Sequence, residues 1–138
     1  SYGSTGTGFC MNTTNTNSGG WKNSHMMKTI CPAFLNALPA AWRNAIKNCT
    51  KYSDNSGGGS DNASYVTATT QKIFLLAEFE VHGTRYYANS AERNYQKQYD
   101  YYKNGNSKVK YQHSSTGSAC SWWLRSVRAT SATRFCFL

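Results

Sequence analysis

The run Cys120-Ser121-Trp122-Trp123-Leu124-Arg125-Ser126 sets two tryptophans side by side, and Trp122–Ser126 reads as a strand. Neighbouring side chains on a strand point to opposite faces, so Trp122 and Trp123 look to opposite sides of one sheet. One ring can anchor a core while the other covers a second surface or a partner. Arg125 shares the face of Trp123, where its guanidinium can stack on an aromatic ring or hold a carboxylate. The plainest account is structural: a Trp-anchored core strand whose arginine ties down a loop.

Downstream, Arg134–Leu138 reads as a second strand, with Cys136 as a small buried hydrophobe between Phe135 and Phe137. Upstream, Asn89 or Ser90 caps a helix that runs to about Lys103, with Glu92 completing a capping box and Asn104-Gly105 ending it. Tyr95, Tyr99 and Tyr102 form one stripe of that helix, a spacing that favours core packing over a ligand platform. Ile73–Ala77 is an unbroken apolar run and reads as a core strand buried on both faces. Glu78-Phe79-Glu80-Val81 alternates like a half-exposed strand.

Nearer the start, residues 1–20 read as a polar surface loop with a short strand at Phe9–Met11. Ser24 caps a helix over 24–38, with Met27, Ile30, Phe34 and Leu38 on its apolar face and Pro32 as a kink. Pro39 opens a short second helix, Ala40–Lys47, and Cys49–Tyr52 follows as a strand. Residues 53–62 read as a mobile connecting loop; the spacing of Asp54 and Asp61 does not match a calcium loop. Helices and strands do not alternate regularly, so the order favours an α+β fold with mainly antiparallel strands over a parallel βαβ sheet.

Groups suited to catalysis are few. Glu78, Glu80 and His82 would line one face of a strand and could bind a metal or move protons, but a polar edge facing solvent explains them more simply. Gly57-Gly58-Gly59 is not followed by a lysine and a helix, so no phosphate loop is present. Ser121 and Ser126 lack a nucleophile elbow. Cys120 with His113 shows no local sign of activation. Cys10, Cys31, Cys49, Cys120 and Cys136 contain no Cys-x-x-Cys pair, which argues against a zinc ribbon or thioredoxin-type site; one or two disulfides suit an exported protein. The sequence calls for no cofactor, no metal and no catalytic residue.

Charge raises a different possibility. The 138 residues carry 15 Lys+Arg against 6 Asp+Glu, a net +9, and no acid follows Asp100. The bases are scattered, with Lys103, Lys108 and Lys110 the densest group, so a solvated basic surface is favoured over a nucleic-acid face. Charged residues make up only 15% of the chain, and Ser, Thr and Asn fill much of the rest. An aromatic content of 14% argues against disorder. No apolar run is long enough to span a membrane.

Several segments resemble an uncharacterised family of gut-bacterial and phage-associated domains of unknown function. They are Gly19–Met26, Leu38-Pro39 with the helix after it, Thr50–Asn55, Ile73–Glu78, Tyr87–Ser90 and Trp122–Ser126, with Trp-Trp-x-Arg-Ser the most specific. That family is similar in pattern to the C-type-lectin-like fold of formylglycine-generating enzymes and of the variable receptor-binding proteins of diversity-generating retroelements. The resemblance implies an α+β domain with two helices flanking small antiparallel sheets, shown on a bacterial surface or phage particle. The chain departs from the pattern at Val127, where the family commonly has proline. The family's opening strand and its last strand, ending in a Val-x-Pro-Ala-Phe-like motif, lie outside residues 1–138. On this reading the chain is a fragment, whose unpaired sheet edge invites self-association.

The expected function is a non-enzymatic module for binding or adhesion, extracellular or on a cell or phage surface, with a glycan or protein ligand. Tyr, Trp, Asn and Ser suit such surfaces, since rigid aromatics give contact area and small polar residues give adaptable hydrogen bonds. The expected ligand-binding residues are Tyr111, Trp123, Arg125, Arg128 and Arg134, around the segment Val127–Arg134. A basic nucleic-acid-binding domain is the alternative, and an enzyme using Glu78, Glu80, His82 or Cys120 is the third possibility.

Overall fold

The computed structural model describes residues 10–112 and 115–138. The expected strand at Phe9–Met11 begins outside them, and so does His113. Within them the fold is α+β, with short helices and three two-stranded antiparallel sheets. The helices are α1 (Gly20–Asn23), α2 (Cys31–Ala37), α3 (Ala40–Ala45), α4 (Glu78–His82) and α5 (Asp100–Lys103). The hairpins pair β1 (Cys49–Asp54) with β2 (Val66–Gln71), β3 (Lys110–Gln112) with β4 (Ser115–Cys120), and β5 (Trp123–Val127) with β6 (Phe135–Phe137).

The β5–β6 hairpin is a wall between two cores. Trp123, Val127 and Phe135 face one core, built on Met11, Trp21, Met26 and Cys31. Trp122, Leu124 and Cys136 face the other, with Phe79, Val81, Ala88 and Tyr102. The alternation of side chains along a strand makes this division, and it places the adjacent tryptophans on opposite sides as the sequence implied. Leu124, Arg125, Ser126 and Val127 are all buried, so β5 is covered on both faces.

The apolar run Ile73–Leu76 is half-buried between these cores, but it is not a strand. One backbone bond and the Arg125 side chain of β5 hold it in place of a ladder. The Arg125 N–H donates to the Leu76 carbonyl at 2.8 Å, and the Arg125 Nη1 donates to the Leu75 carbonyl at 2.8 Å. The Glu78 N–H donates to the Ser126 hydroxyl at 3.1 Å. The expected strand Glu78–Val81 is instead the helix α4, with all four residues buried. A four-residue alternation is too short to separate a strand from one helical turn. Here Glu80 accepts from the Ala77 N–H at 2.9 Å, and its charge favours the positive end of the helix.

Ser24 does cap its helix, accepting from the Met27 N–H at 3.1 Å. The helix then loosens to π-type over Met26–Ile30 ahead of Pro32, whose ring and missing N–H disrupt the regular turn. Phe34, expected on the apolar face, is 57% exposed, and α3 buries nothing. Asn89 caps as expected, accepting from the Ala91 N–H at 3.0 Å, but only a 3₁₀ turn, Ser90–Asn94, follows it. Glu92 does not close a capping box, because its carboxylate turns inward. The expected surface loop before residue 20 buries Met11, Asn12 and Asn17. Gly20 sits at φ +54°, where a side chain would collide with the Asp54 carbonyl oxygen.

Candidate functional site

Four of the six acids lie in the interior: Asp54, Glu78, Glu80 and Glu92. A buried charge is costly unless it is paired or hydrogen-bonded; all four accept hydrogen bonds, and Glu80 also forms ion pairs. Glu80 takes both Arg125 Nη atoms, at 2.6 and 2.9 Å, and the Lys51 ammonium at 3.0 Å. Burial alone would raise its pKa; Arg125, then the Ala77 N–H and Lys51, reverse this and hold it below the usual carboxylate value. Glu78 accepts from three consecutive backbone N–H groups, Tyr86, Tyr87 and Ala88, at 2.8 to 3.0 Å. Asp54 accepts from the Ser56 and Gly57 N–H groups at 3.0 Å each and from Asn89 at 2.9 Å. These contacts tie down the 53–62 loop, which was expected to be a plain mobile connection.

Glu92, like Asp54, is fully buried. It accepts from the Asp54 N–H at 2.8 Å, the Ser126 hydroxyl at 2.6 Å and the Gln96 amide at 2.8 Å. Burial outweighs these donors and pushes its pKa up to about 7. Cys136 is also a buried thiol with its pKa raised, first by burial and then by the charges of Glu78 and Glu92. Glu78 and Glu80, two residues apart on a helix, diverge to different partners, so they do not form the exposed line with His82 that a strand would give. His82 rests edge-on against Tyr86, and burial lowers its pKa.

Against this interior, one cleft of about 440 Å³ opens over the Glu80 pair. Its floor is Lys51 from β1 and Glu80 from α4; its wall is the segment Arg93–Asp100. Three bonds fix that wall: the Tyr99 N–H to the Glu80 carbonyl (2.9 Å), the Gln98 amide to the Val81 carbonyl (3.0 Å) and the Gln96 amide to the Tyr52 carbonyl (2.9 Å). Tyr95 stacks on Tyr52 with centroids 4.4 Å apart. Lys51 also donates to the Tyr99 hydroxyl at 2.7 Å and lies 4.5 Å from the centre of the Phe74 ring. Burial would lower the Lys51 pKa, but the Tyr99 hydroxyl and Glu80 hold it above its ordinary value. Arg93 and Lys97 stand at the exposed rim. The tyrosine stripe read as core packing is thus split. Tyr102 is buried, while Tyr95 and Tyr99 are 54% and 38% exposed.

The sequence-predicted binding residues do not form one site. Arg125 is fully buried, so it acts as the tie of the plainer reading and not as a surface that a ligand touches. Trp123 packs in the β5–β6 wall, edge-on to Phe137 at 5.9 Å. Tyr111 is exposed on the β3–β4 hairpin. Arg128 and Arg134 do come together, through an Arg128 N–H to Arg134 carbonyl bond of 2.9 Å. The Arg128 guanidinium lies 4.0 Å from the centre of the Tyr87 ring. Asn17 braces this segment, donating to the Ser131 and Arg134 carbonyls at 2.6 and 3.0 Å. The cleft was missed because its floor, Lys51 and Glu80, comes from segments far from the Arg93–Asp100 wall, whose tyrosines read as core packing. The one available signal was Arg125 itself, since an arginine in a buried strand requires a carboxylate partner.

A family model described as Domain of unknown function (DUF6273) matches residues 10–138. No curated protein and no solved structure matches the chain.

Proposed function

Since the chain belongs to the DUF6273 family, a domain of unknown function, its role must be read from its surface, and we propose that it is a non-enzymatic recognition module. In this reading it is built like a C-type lectin, displayed outside the cell, and binds a glycan or protein. One observation carries the reading: the acids are mostly interior, while tyrosines and cations line the cleft at Lys51 and the Arg128–Arg134 segment. Carboxylates saturated by internal partners are poorly placed for acid–base work on a substrate. Exposed rings beside flexible cations suit binding without turnover. The α+β build with small antiparallel sheets agrees with the lectin-like resemblance. The test is a screen of the folded domain against arrays of glycans and surface proteins, with the bound ligand recovered and weighed. Unaltered ligand supports the reading; chemical change in the ligand, or no ligand at all, contradicts it.

A second reading has its own observation. With Asp54, Glu78, Glu80 and Glu92 buried, only Asp61 and Asp100 remain exposed to offset a surface of lysine and arginine. That imbalance suits a nucleic-acid partner, whose affinity would fall steeply with salt.

A further inference from the structure

We propose that the Lys51–Tyr99 cleft is a site for an acidic sugar, one bearing a carboxylate or sulfate. The inference rests on the recognition-module reading and names its ligand class and place. The floor supplies the charge. Lys51 has three ammonium donors; Glu80 and Tyr99 take two of them, and its side chain is only 16% exposed. The ammonium lines the cleft beside the Phe74 ring, a partly desolvated setting where a charge-assisted bond is strong. Glu80 does not repel an anion effectively, because Arg125 clamps it from behind with two bonds while Lys51 holds it in front. At the rim, Arg93 and Lys97 outnumber Asp100. A cleft with walls of low polarisability focuses such a field on its ligand.

The rings supply the sugar preference. Tyr95 is held flat against Tyr52 and Tyr99 is pinned by Lys51, so both present rigid apolar faces at little entropic cost. Asn94 lines the same wall and offers its amide to hydroxyl groups. The volume of about 440 Å³ falls within the range of small-molecule sites, not that of an extended track. A nucleic-acid strand would need cations along a groove, whereas Lys51, Arg93 and Lys97 line a single cleft.

The experiment is titration of the 138-residue chain, by calorimetry and by amide chemical shifts, with trigalacturonate and sialyllactose. Maltotriose and lactose serve as neutral counterparts, and a short oligothymidylate as the nucleic-acid probe. The expected result is binding of at least one acidic sugar about tenfold or more above its neutral counterpart, weakening as salt rises. Lys97→Glu and Tyr99→Ala, each checked for folding by circular dichroism, should each weaken it by about fivefold or more. Equal binding of neutral sugars, preference for the oligothymidylate, or indifference to both substitutions overturns the proposal. So does the absence of acidic-sugar binding. If the array screen then finds another ligand, the recognition-module reading survives without this site; if it finds none, both fall.

Discussion

Replacing Arg125 with methionine tests the interior directly. Methionine keeps an unbranched apolar stem but is shorter and removes every donor. It would leave the Glu80 carboxylate, 5% exposed, facing only Lys51 and the Ala77 N–H. The Leu75 carbonyl and Ser53 hydroxyl would lose bonds of 2.8 Å each. Breaking one side of a buried ion pair costs about 3–5 kcal/mol. Domains of this size hold about 5–15 kcal/mol in all, so the loss should be plain in equilibrium urea unfolding followed by tryptophan fluorescence. Adding Glu80→Gln removes the stranded charge. The cycle Arg125→Met, Glu80→Gln and the double variant should therefore show a coupling of about 2 kcal/mol or more. The acid limb should change as well. Glu80 has a lowered pKa, so its contribution is present above its unfolded value and is lost as pH falls through the folded one. Arg125→Met should shrink that loss. A penalty below about 1 kcal/mol, or additive single effects, would mean that Arg125 and Glu80 are not coupled in the interior.

Glu92→Gln should act in the opposite direction with pH. Glu92 titrates near 7 when folded, above its ordinary 4.5, so the wild type loses stability as pH rises from 4.5 to 7 and levels off above. The variant should flatten that slope, worth on the order of 3 kcal/mol, in unfolding curves taken across the window; an unchanged slope counts against Glu92. Gly20→Ala should cost about 1–3 kcal/mol, because φ +54° and the Asp54 carbonyl both resist a side chain; a neutral result in urea unfolding would contradict the turn. Asn89→Ala removes the cap and the bond to Asp54, and should lower stability by about 2 kcal/mol in the same assay. Trp42→Ala should stay within about 0.5 kcal/mol, since Trp42 is 64% exposed.

Local rules carried the sequence reading well where one element decides the outcome. Alternation put Trp122 and Trp123 on opposite faces, capping chemistry placed Ser24 and Asn89 at turns, and Cys136 was legible as buried between two phenylalanines. Long-range polar contacts were not legible. Nothing near Glu80 announces a partner 45 residues away at Arg125, and without that partner a carboxylate reads as exposed. The same gap turned Glu78–Val81 into a strand and Ile73–Ala77 into a ladder, since β5 holds both with the Arg125 and Ser126 side chains and one backbone N–H. Tyr95 and Tyr99 followed a helical spacing, but the helix does not form there, so their rings remain outside. The lectin-like fold stays a matter of resemblance, while the mixed architecture with small antiparallel sheets is observed.

The proposed recognition surface lies over the Glu80 pair and is held rigid by the buried acids. Amide chemical shifts recorded while trigalacturonate or sialyllactose is added test its location. The shifts are expected to concentrate at Lys51 and along Arg93–Asp100, with Arg128–Arg134 and the β3–β4 hairpin still. Shifts centred on Arg128–Arg134 or Tyr111, with the cleft unmoved, would contradict that location.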